Sequence, residues 1–148
     1  MKCICEDELE ATPALANSSD VRLPMGLLGF EQIKEYLLLA NPDEAPFGWL
    51  QVKDNPSLAF IVIDPFLVAA DYKPQIPEQD VAFLGLERPE DAAVFNIVTV
   101  HGANGATVNL KGPIVINRHT HVGKQVVIAN AAVYSVQHPL PVAATAAA

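Results

Sequence analysis

The chain has little cysteine: Cys3 and Cys5 are the only two among 148 residues. A disulfide between residues this close in sequence would be a strained ring, so the pair predicts no disulfide framework. Cytosolic proteins keep their thiols reduced, whereas small secreted domains rely on disulfides. The cysteine content therefore favours a cytoplasmic protein.

Long hydrophobic runs are also missing. The longest run in the middle of the chain without a polar side chain is residues 58–63, far short of the roughly 20 residues that a membrane helix needs. Acidic residues stand where the apolar core of a secretion signal would lie, namely Glu6, Asp7, Glu8 and Glu10. We therefore expect no membrane contact and a cytoplasmic location.

The chain has no carboxylate after Asp91. All 17 acidic residues lie in residues 1–91, which with 6 basic residues carry a net charge of −11; residues 92–148 carry only Lys111, Arg118 and Lys124, +3. Direct nucleic-acid binding needs a basic stripe, which three scattered bases do not form. The acidity instead suits a basic protein partner, although a merely solvated acidic surface would show the same pattern.

Catalytic constellations are absent from the sequence. The serines stand in no nucleophile elbow, no cysteine has a persuasive histidine partner, and no glycine-rich phosphate loop occurs. On an extended strand His119 and His121 would share one face and could supply two metal nitrogens, but a third ligand is missing. We expect no enzyme activity, no cofactor and no metal site, and interpret the histidines as exposed hairpin residues.

The size and the apolar content predict one packed domain. Hydrophobic residues make up 51% of the chain and charged residues 18%, which is typical of a globule and unlike a disordered chain. Residues 1–20 show little periodicity, and only residues 3–5 could join an edge strand. The alanine-rich residues 141–148 predict a disordered tail. The domain is thus expected to span residues 21–140.

Most of this domain has the residue pattern of short β-strands. Runs of β-branched and aromatic residues separated by turn residues predict antiparallel strands. The predicted strands are residues 36–39, 49–52, 58–63, 93–100, 106–110, 113–117 and 125–128, with turns at 102–105 and 121–124. A helix over residues 30–40 is the alternative for the first strand, because apolar residues recur there at four-residue spacing.

One short helix is predicted over residues 76–85. Pro77 stands near the first helical position, acidic residues follow in the first turn, and Gly85 ends the segment. Many short strands with one helix favour a closed sheet, because closure removes exposed edges. The expected fold is mainly β, a small antiparallel β-barrel-like single domain with one short helix.

A few polar and aromatic residues stand at strand ends. Asp64 follows the most apolar strand and precedes Pro65, where a carboxylate braces a turn through backbone N–H groups. Without a second carboxylate or a poised histidine it is weak support for acid–base catalysis. The aromatics near proline-rich turns would anchor a partner if exposed, but most are expected in the core: Phe47, Trp49, Phe66 and Tyr72.

The order and spacing of eight short blocks resemble the FliW family of flagellar assembly factors. The blocks are residues 24–31 (PMGLLGFE), 49–51 (WLQ), 58–66 (LAFIVIDPF), 96–99 (NIVT), 106–110 (ATVNL), 113–117 (PIVIN), 123–126 (GKQV) and 138–140 (HPL). Each is weak alone, and their order across one domain makes the resemblance specific. Residues 1–20 depart from it, since the family's first strand with its aromatic–glycine turn is not recognisable.

The resemblance implies a β-barrel-like protein that binds either flagellin or the RNA-binding translational regulator CsrA, relieving the repression of flagellin translation. The acidic first 91 residues agree with a basic regulator as partner. Residues expected at or bracing the partner surface are Phe30, Glu31, Asp64, Pro65, Phe66, Asn117 and Gln125. Two other interpretations stay open: a small-ligand-binding β-barrel, and a flagellin chaperone without CsrA antagonism.

Overall fold

The computed structural model of the chain describes residues 18–40, 47–67, 69, 71–102 and 105–140. Within these ranges there are nine β-strands and one α-helix. The strands are β1 (Ser18–Arg22), β2 (Glu35–Ala40), β3 (Phe47–Val52), β4 (Asn55–Ile63), β5 (Ala92–Val100), β6 (Ala106–Val108), β7 (Ile114–Asn117), β8 (Gly123–Gln125) and β9 (His138–Pro139), and the helix is α1 (Glu78–Leu84).

The strands form one curled antiparallel sheet. Strands β1 to β5 pair in sequence order, and β5 then pairs with β7 through its first four residues and with β6 through its last three. Strand β8 follows β7, and a single bridge between Arg22 and Val122 leads from β8 back to β1. The order β1-β2-β3-β4-β5-β7-β8 is therefore a barrel wall whose seam lies at Arg22.

Two hydrophobic clusters lie on opposite sides of this wall. The inner cluster takes side chains from β1 to β5 and β7, among them Val21, Tyr36, Leu50, Val62 and Ile114. The outer cluster lies between the other face of β5 and the segments that pack over it, including α1. Because side chains alternate along a strand, β5 contributes to both clusters. It is the central strand of the fold.

The helix is confined to two turns by the residues at its ends. Pro77 precedes it, and Gly85 follows with φ +67°, donating its N–H to the carbonyl of Ala82 at 3.1 Å. The N–H of Leu86 donates to the carbonyl of Val81 at 3.0 Å, which satisfies a second carbonyl at the helix end. The predicted helix over residues 76–85 is confirmed.

The expected fold is confirmed: the described chain is mainly β, with a barrel-like antiparallel sheet and one short helix. Strands occur in the segments predicted for β2 to β7, with ends that differ by up to three residues. The alternative helix over residues 30–40 is wrong. Residues 35–40 pair with both β1 and β3, and these cross-strand contacts override the four-residue spacing.

Two predictions near β8 are wrong in position. The strand expected at 125–128 is Gly123–Gln125, because Val126 and Ile128 donate instead to the irregular segment at Pro113 and Lys111. The turn expected at 121–124 falls at residues 118–120. His121 closes it by donating its N–H to the carbonyl of Asn117 at 2.8 Å, and has φ +61°. Strands β1 and β9 were not predicted. The expectations for residues 3–5 and for the tail at 141–148 lie outside the described residues.

Candidate protein-binding surface

The loop at residues 24–31, between β1 and β2, is shaped by its glycines. Gly26 has φ +67° and donates its N–H to the carbonyl of Leu23 at 2.8 Å. A Cβ on Gly26 would lie 2.5 Å from the Cα of Glu31, so no larger residue fits. Phe30 closes the second turn by donating its N–H to the carbonyl of Leu27 at 2.7 Å. The backbone of the loop is therefore folded tightly on itself.

Three polar side chains hold this loop in place. Gln125 of β8 accepts the N–H of Leu28 through Oε1 at 2.9 Å, although the two residues are 97 positions apart. Lys34 donates through Nζ to the carbonyls of Pro24 and Glu31, at 2.8 and 3.2 Å. Glu31 accepts the N–H of Gly29, a bond that lowers the pKa of its carboxyl group. The loop is preorganised on the barrel.

The loop presents apolar side chains to solvent. Met25 is 55% exposed, Leu28 66% and Phe30 37%. Phe30 packs edge to face on Phe60 of β4, with ring centroids 5.0 Å apart. Three large exposed hydrophobic residues on one rigid loop cost free energy in water, and such patches mark interaction sites. The loop is the strongest candidate contact surface among the described residues.

An apolar cleft adjoins the loop. It has a volume of about 520 Å³ and runs between β4 and β5. Its walls are Leu27, Leu28, Ala59, Phe60, Ile61, Ile97, Val98, Thr99, Val100, Asn109, Gln125 and Val136. None of these side chains is charged, in a chain with 26 formally charged Asp, Glu, Lys and Arg residues (17 acidic and 9 basic). The loop and the cleft together form the candidate surface.

The structure brings three of the seven expected site residues to this surface. Phe30 and Glu31 lie on the loop, and Gln125 both anchors the loop and lines the cleft. Asp64, Pro65, Phe66 and Asn117 do not line the cleft. Whether any of the seven contacts a partner stays a prediction.

Asp64 braces a turn, as its position before a proline suggested. The carboxylate accepts the N–H of Phe66 at 3.0 Å and is only 8% exposed. Pro65 is also buried, and Phe66 is half-buried with its ring centroid 6.0 Å from that of Tyr72. These three residues therefore stabilise the segment that leaves β4.

Asn117 caps the turn that follows β7. Its Oδ1 accepts the N–H groups of His119 and Thr120, and its Nδ2 donates to the carbonyl of Leu84 at the end of α1. The residue is buried, so its polar atoms are used inside the protein. It connects the helix to the barrel.

The two histidines of this turn are not arranged as a metal pair. They lie on a turn and not on an extended strand: His119 places Nε2 2.9 Å from Oδ1 of Asp91, and Nδ1 of His121 lies 3.0 Å from the carbonyl oxygen of Asp20. In the part of the chain that the structure describes, no group of three or more His, Cys, Asp and Glu side chains could hold a metal ion. The premise of a shared strand face is wrong.

Asp91 is a buried carboxylate with three donors around it. The bond with His119 has the largest effect and lowers the pKa of its carboxyl group. Burial raises this pKa, whereas the N–H groups of Arg88 and Glu87 donate to the carboxylate and lower it further. A depressed folded-state pKa stabilises the protein above the unfolded-state value and loses that stabilisation as the pH falls through the folded-state pKa.

Asp91→Asn should therefore cost about 1–2 kcal/mol at neutral pH, because it weakens hydrogen bonds to a charged acceptor. The cost should begin to shrink below about pH 4, where the aspartate of the unfolded chain binds a proton before the folded carboxylate does, and should disappear as the pH falls through the lowered folded-state pKa. Urea unfolding of both proteins between pH 3 and pH 7 measures this. Asp71→Asn, at an exposed aspartate, is the control. A cost for Asp91→Asn that does not change with pH would contradict the assignment.

The expected distribution of the aromatic residues is largely confirmed. Tyr72 is fully buried and donates its hydroxyl to the carbonyl of Leu110 at 2.7 Å, and burial raises the pKa of the hydroxyl. Phe47 and Phe66 are half-buried, whereas Trp49 is exposed on the outer side of β3. None of the four lines the cleft.

Met25 and Leu28 were not among the contact residues predicted from the sequence. The signal was available, since residues 24–30 form a turn whose non-glycine side chains are all apolar. A turn of this composition has no inward face large enough to bury them all, so some must be exposed.

In the described residues, no helix is long and apolar enough to span a membrane.

Comparison with known proteins gives one consistent family. Residues 6–140 match the family described as FliW protein. The chain is 42% identical over 109 residues to the flagellar assembly factor FliW of Leptospira interrogans serogroup Icterohaemorrhagiae serovar copenhageni, covering 72% of this chain and 73% of the relative. It is 39% identical over 122 residues to the flagellar assembly factor FliW of Natranaerobius thermophilus, covering 81% and 80%.

A solved structure agrees with these matches. The crystal structure of the flagellar assembly factor FliW superposes with a TM-score of 0.74 at 35% sequence identity, covering 82% of this chain and 85% of the other. The similarity therefore extends from the sequence to the arrangement of the strands.

Proposed function

The chain belongs to the FliW family of flagellar assembly factors, and from that premise we propose that it binds the translational regulator CsrA and flagellin, antagonising CsrA so that flagellin is translated. It would act in the cytoplasm, by binding and without catalysis. The observation that carries the proposal is the rigid, exposed apolar loop at residues 24–31 beside an uncharged cleft.

The loop suits a contact that excludes water. Exposed apolar patches rimmed by polar residues mark interaction sites, and a few well-packed anchor side chains carry most of the binding energy of an interface. Leu28 and Phe30 are such anchors, and Glu31 and Gln125 surround them. The backbone bonds of the loop are already formed in the free protein, so little conformational entropy would be lost on binding.

The charge distribution supports the binding of a basic partner, which in this proposal is the translational regulator. Eight acidic residues of the described chain are exposed, whereas three are buried and structural: Asp64, Asp80 and Asp91. The exposed carboxylates would attract a basic RNA-binding regulator at long range and raise its association rate. The apolar loop would then provide the short-range contact.

Leu28→Asp tests the proposed contact. The side chain is exposed and its N–H bond with Gln125 does not involve the side chain, so the fold should be retained. Placing a charge at an apolar anchor is expected to weaken binding of purified CsrA and flagellin by at least about tenfold, or ~1.4 kcal/mol. Isothermal titration calorimetry with each protein measures this effect.

Val133→Asp is the matched control, since Val133 is 73% exposed, against 66% for Leu28, and lies outside the loop and the cleft. Its affinity should stay within about twofold of wild type. Equal losses for the two variants would reject the loop as the contact site. Failure of the wild-type chain to bind either protein would reject the proposed function, and binding of flagellin alone would leave a chaperone without CsrA antagonism.

A further inference from the structure

The cleft beside the loop is a gap in the barrel wall between two strands. Strand β4 extends over Asn55–Ile63 and β5 over Ala92–Val100, yet the two pair only at Ile61–Val98, Val62–Ile97 and Ile63–Asn96. Beyond Ile61 and Val98 both strands continue, and the cleft lies between their continuations. On the edge that points away from the cleft, each strand stays paired, β4 with β3 and β5 with β6.

The hydrogen-bond pattern shows which backbone groups face the gap. Ile97 accepts the N–H of Asn109 and His101 donates to Gly105, so the odd-numbered residues of this segment bond towards β6. Because backbone groups alternate in direction along a strand, Val98 and Val100 face β4. In the same register Ile61 and Ala59 face β5. Among the described residues, Ala59 and Val100 do not pair across the gap.

We propose that the cleft binds an extended, uncharged segment of a partner protein as an added β-strand, hydrogen-bonded to the backbone of Ala59 and Val100. Open strand edges are templates for this kind of pairing, in which main-chain bonds give affinity and alternate side chains give specificity. The inference rests on the proposed function, because it assigns a binding mode to the same surface.

A segment bound in the cleft as an added strand would have an apolar wall on each of its two faces. Leu27, Phe60 and Ile97 belong to the inner cluster, whereas Ile61 and Val98 belong to the outer cluster. A strand directs successive side chains to opposite sides, so an inserted segment would place one set on each wall. A helix in the gap would leave the two strand edges unpaired.

The absence of charged side chains from the cleft walls determines which residues the bound segment can have. A charged side chain that lost its water here would find no countercharge in the walls, which is costly. Thr99, Asn109 and Gln125 supply the polar groups. The best occupant is therefore a run of small polar and β-branched residues, which also form strands readily.

A capped peptide of alternating threonine and valine, titrated into the isotope-labelled full chain, tests this binding mode. We expect the amide signals of Ala59 and Val100 to shift on binding. A second peptide with alternate backbone nitrogens methylated keeps the side chains and loses the donors on one edge. It should bind at least about tenfold more weakly, because main-chain hydrogen bonds give much of the affinity. Equal affinity of the two peptides, or unchanged amide signals, would overturn the inference.

Variants of Val100 provide a test from the protein side. Val100→Pro removes only an N–H that faces the gap, whereas Val100→Ala keeps it; the side chain is 59% exposed, so both should fold. The proline variant is expected to bind the unmethylated peptide about tenfold more weakly than the alanine variant. If a folded Val100→Pro bound as well as Val100→Ala, the backbone of Val100 would not be part of the site.

The same labelled chain separates this inference from the proposed function. CsrA and flagellin are titrated in turn while the signals of Ala59 and Val100 are followed. Binding of either protein with movement of both signals supports strand addition. Binding of both proteins with neither signal moving overturns it and leaves the function intact. The expected peptide response with no binding of either protein keeps the cleft assignment and removes the function.

Discussion

Gly26→Ala is expected to lower the free energy of unfolding by about 3 kcal/mol or more. A non-glycine residue at positive φ costs about 1–2 kcal/mol, and Gly26 has φ +67°. In addition, the new Cβ would lie 2.5 Å from the Cα of Glu31 and 2.6 Å from the carbonyl oxygen of Phe30. These are backbone atoms, so the loop itself must move. Urea unfolding of the variant measures the loss.

Gly29→Ala is the matched control, because the two glycines lie in one loop. Gly29 has φ +88°, but a Cβ there meets no atom within 4 Å. The control should therefore lose only the backbone term of about 1–2 kcal/mol. The difference between the two variants measures the close contact at Gly26. Equal losses would show that this contact relaxes without cost and that the loop is less rigid than its hydrogen bonds indicate.

Lys124→Met is expected to destabilise the protein by about 3 kcal/mol, because it leaves the buried carboxylate of Asp80 without its countercharge. This is the lower end for a broken buried pair, since the Lys124 side chain is 26% exposed. Lys124 lies on β8 and pairs with Asp80 of α1, whose side chain is only 5% exposed. The ammonium group also lies 5.6 Å from the ring centroid of Phe83. The pair therefore joins the helix to the barrel. Chemical denaturation at neutral pH measures the change.

Lys53→Met makes the same substitution in an exposed pair. Lys53 lies 3.6 Å from Asp20, with side chains 43% and 71% exposed, so its loss should cost less than about 1 kcal/mol. The double variant Asp80→Leu with Lys124→Met removes both charges and should recover most of the stability lost by Lys124→Met alone. No recovery in the double variant would mean that the contacts of the lysine stem, and not its charge, are what matter.

Much of the fold was predictable because its strands are locally encoded. Residues 58–63 and 93–100 carry β-branched and aromatic residues in runs, and both segments are strands. Strand β1 was not predictable in this way. Its sequence, Ser18–Arg22, has one β-branched residue, and it is a strand because it pairs along its whole length with β2. Pairing between segments leaves no such local signal.

The candidate surface was predictable only in part. Phe30, Glu31 and Gln125 lie at the loop, but Asp64 and Asn117 were chosen by the same criterion, a polar residue at a strand end, and both are buried. The side-chain amide of Asn117 donates to the carbonyl of Leu84, 33 residues away in sequence. Sequence alone does not distinguish a cap from a contact, because burial depends on distant segments. The geometry of His119 and His121 was missed for the same reason.

The single bridge at the barrel seam has a consequence for the order of folding. The hairpins from β1 to β4 join residues that are close in sequence, so little loop entropy opposes them. The seam joins Arg22 to Val122, about one hundred residues apart, through one bridge, in which the N–H of Arg22 donates to the carbonyl of His121. Beside it, only the side chains of His121 and Gln125, among the contacts described above, reach the backbone of residues 20 and 28. The entropy lost in closing so long a loop is offset only once the strands on both sides have formed. Pairing at the seam should therefore be a late step in folding, and the seam should be the first part of the sheet to open.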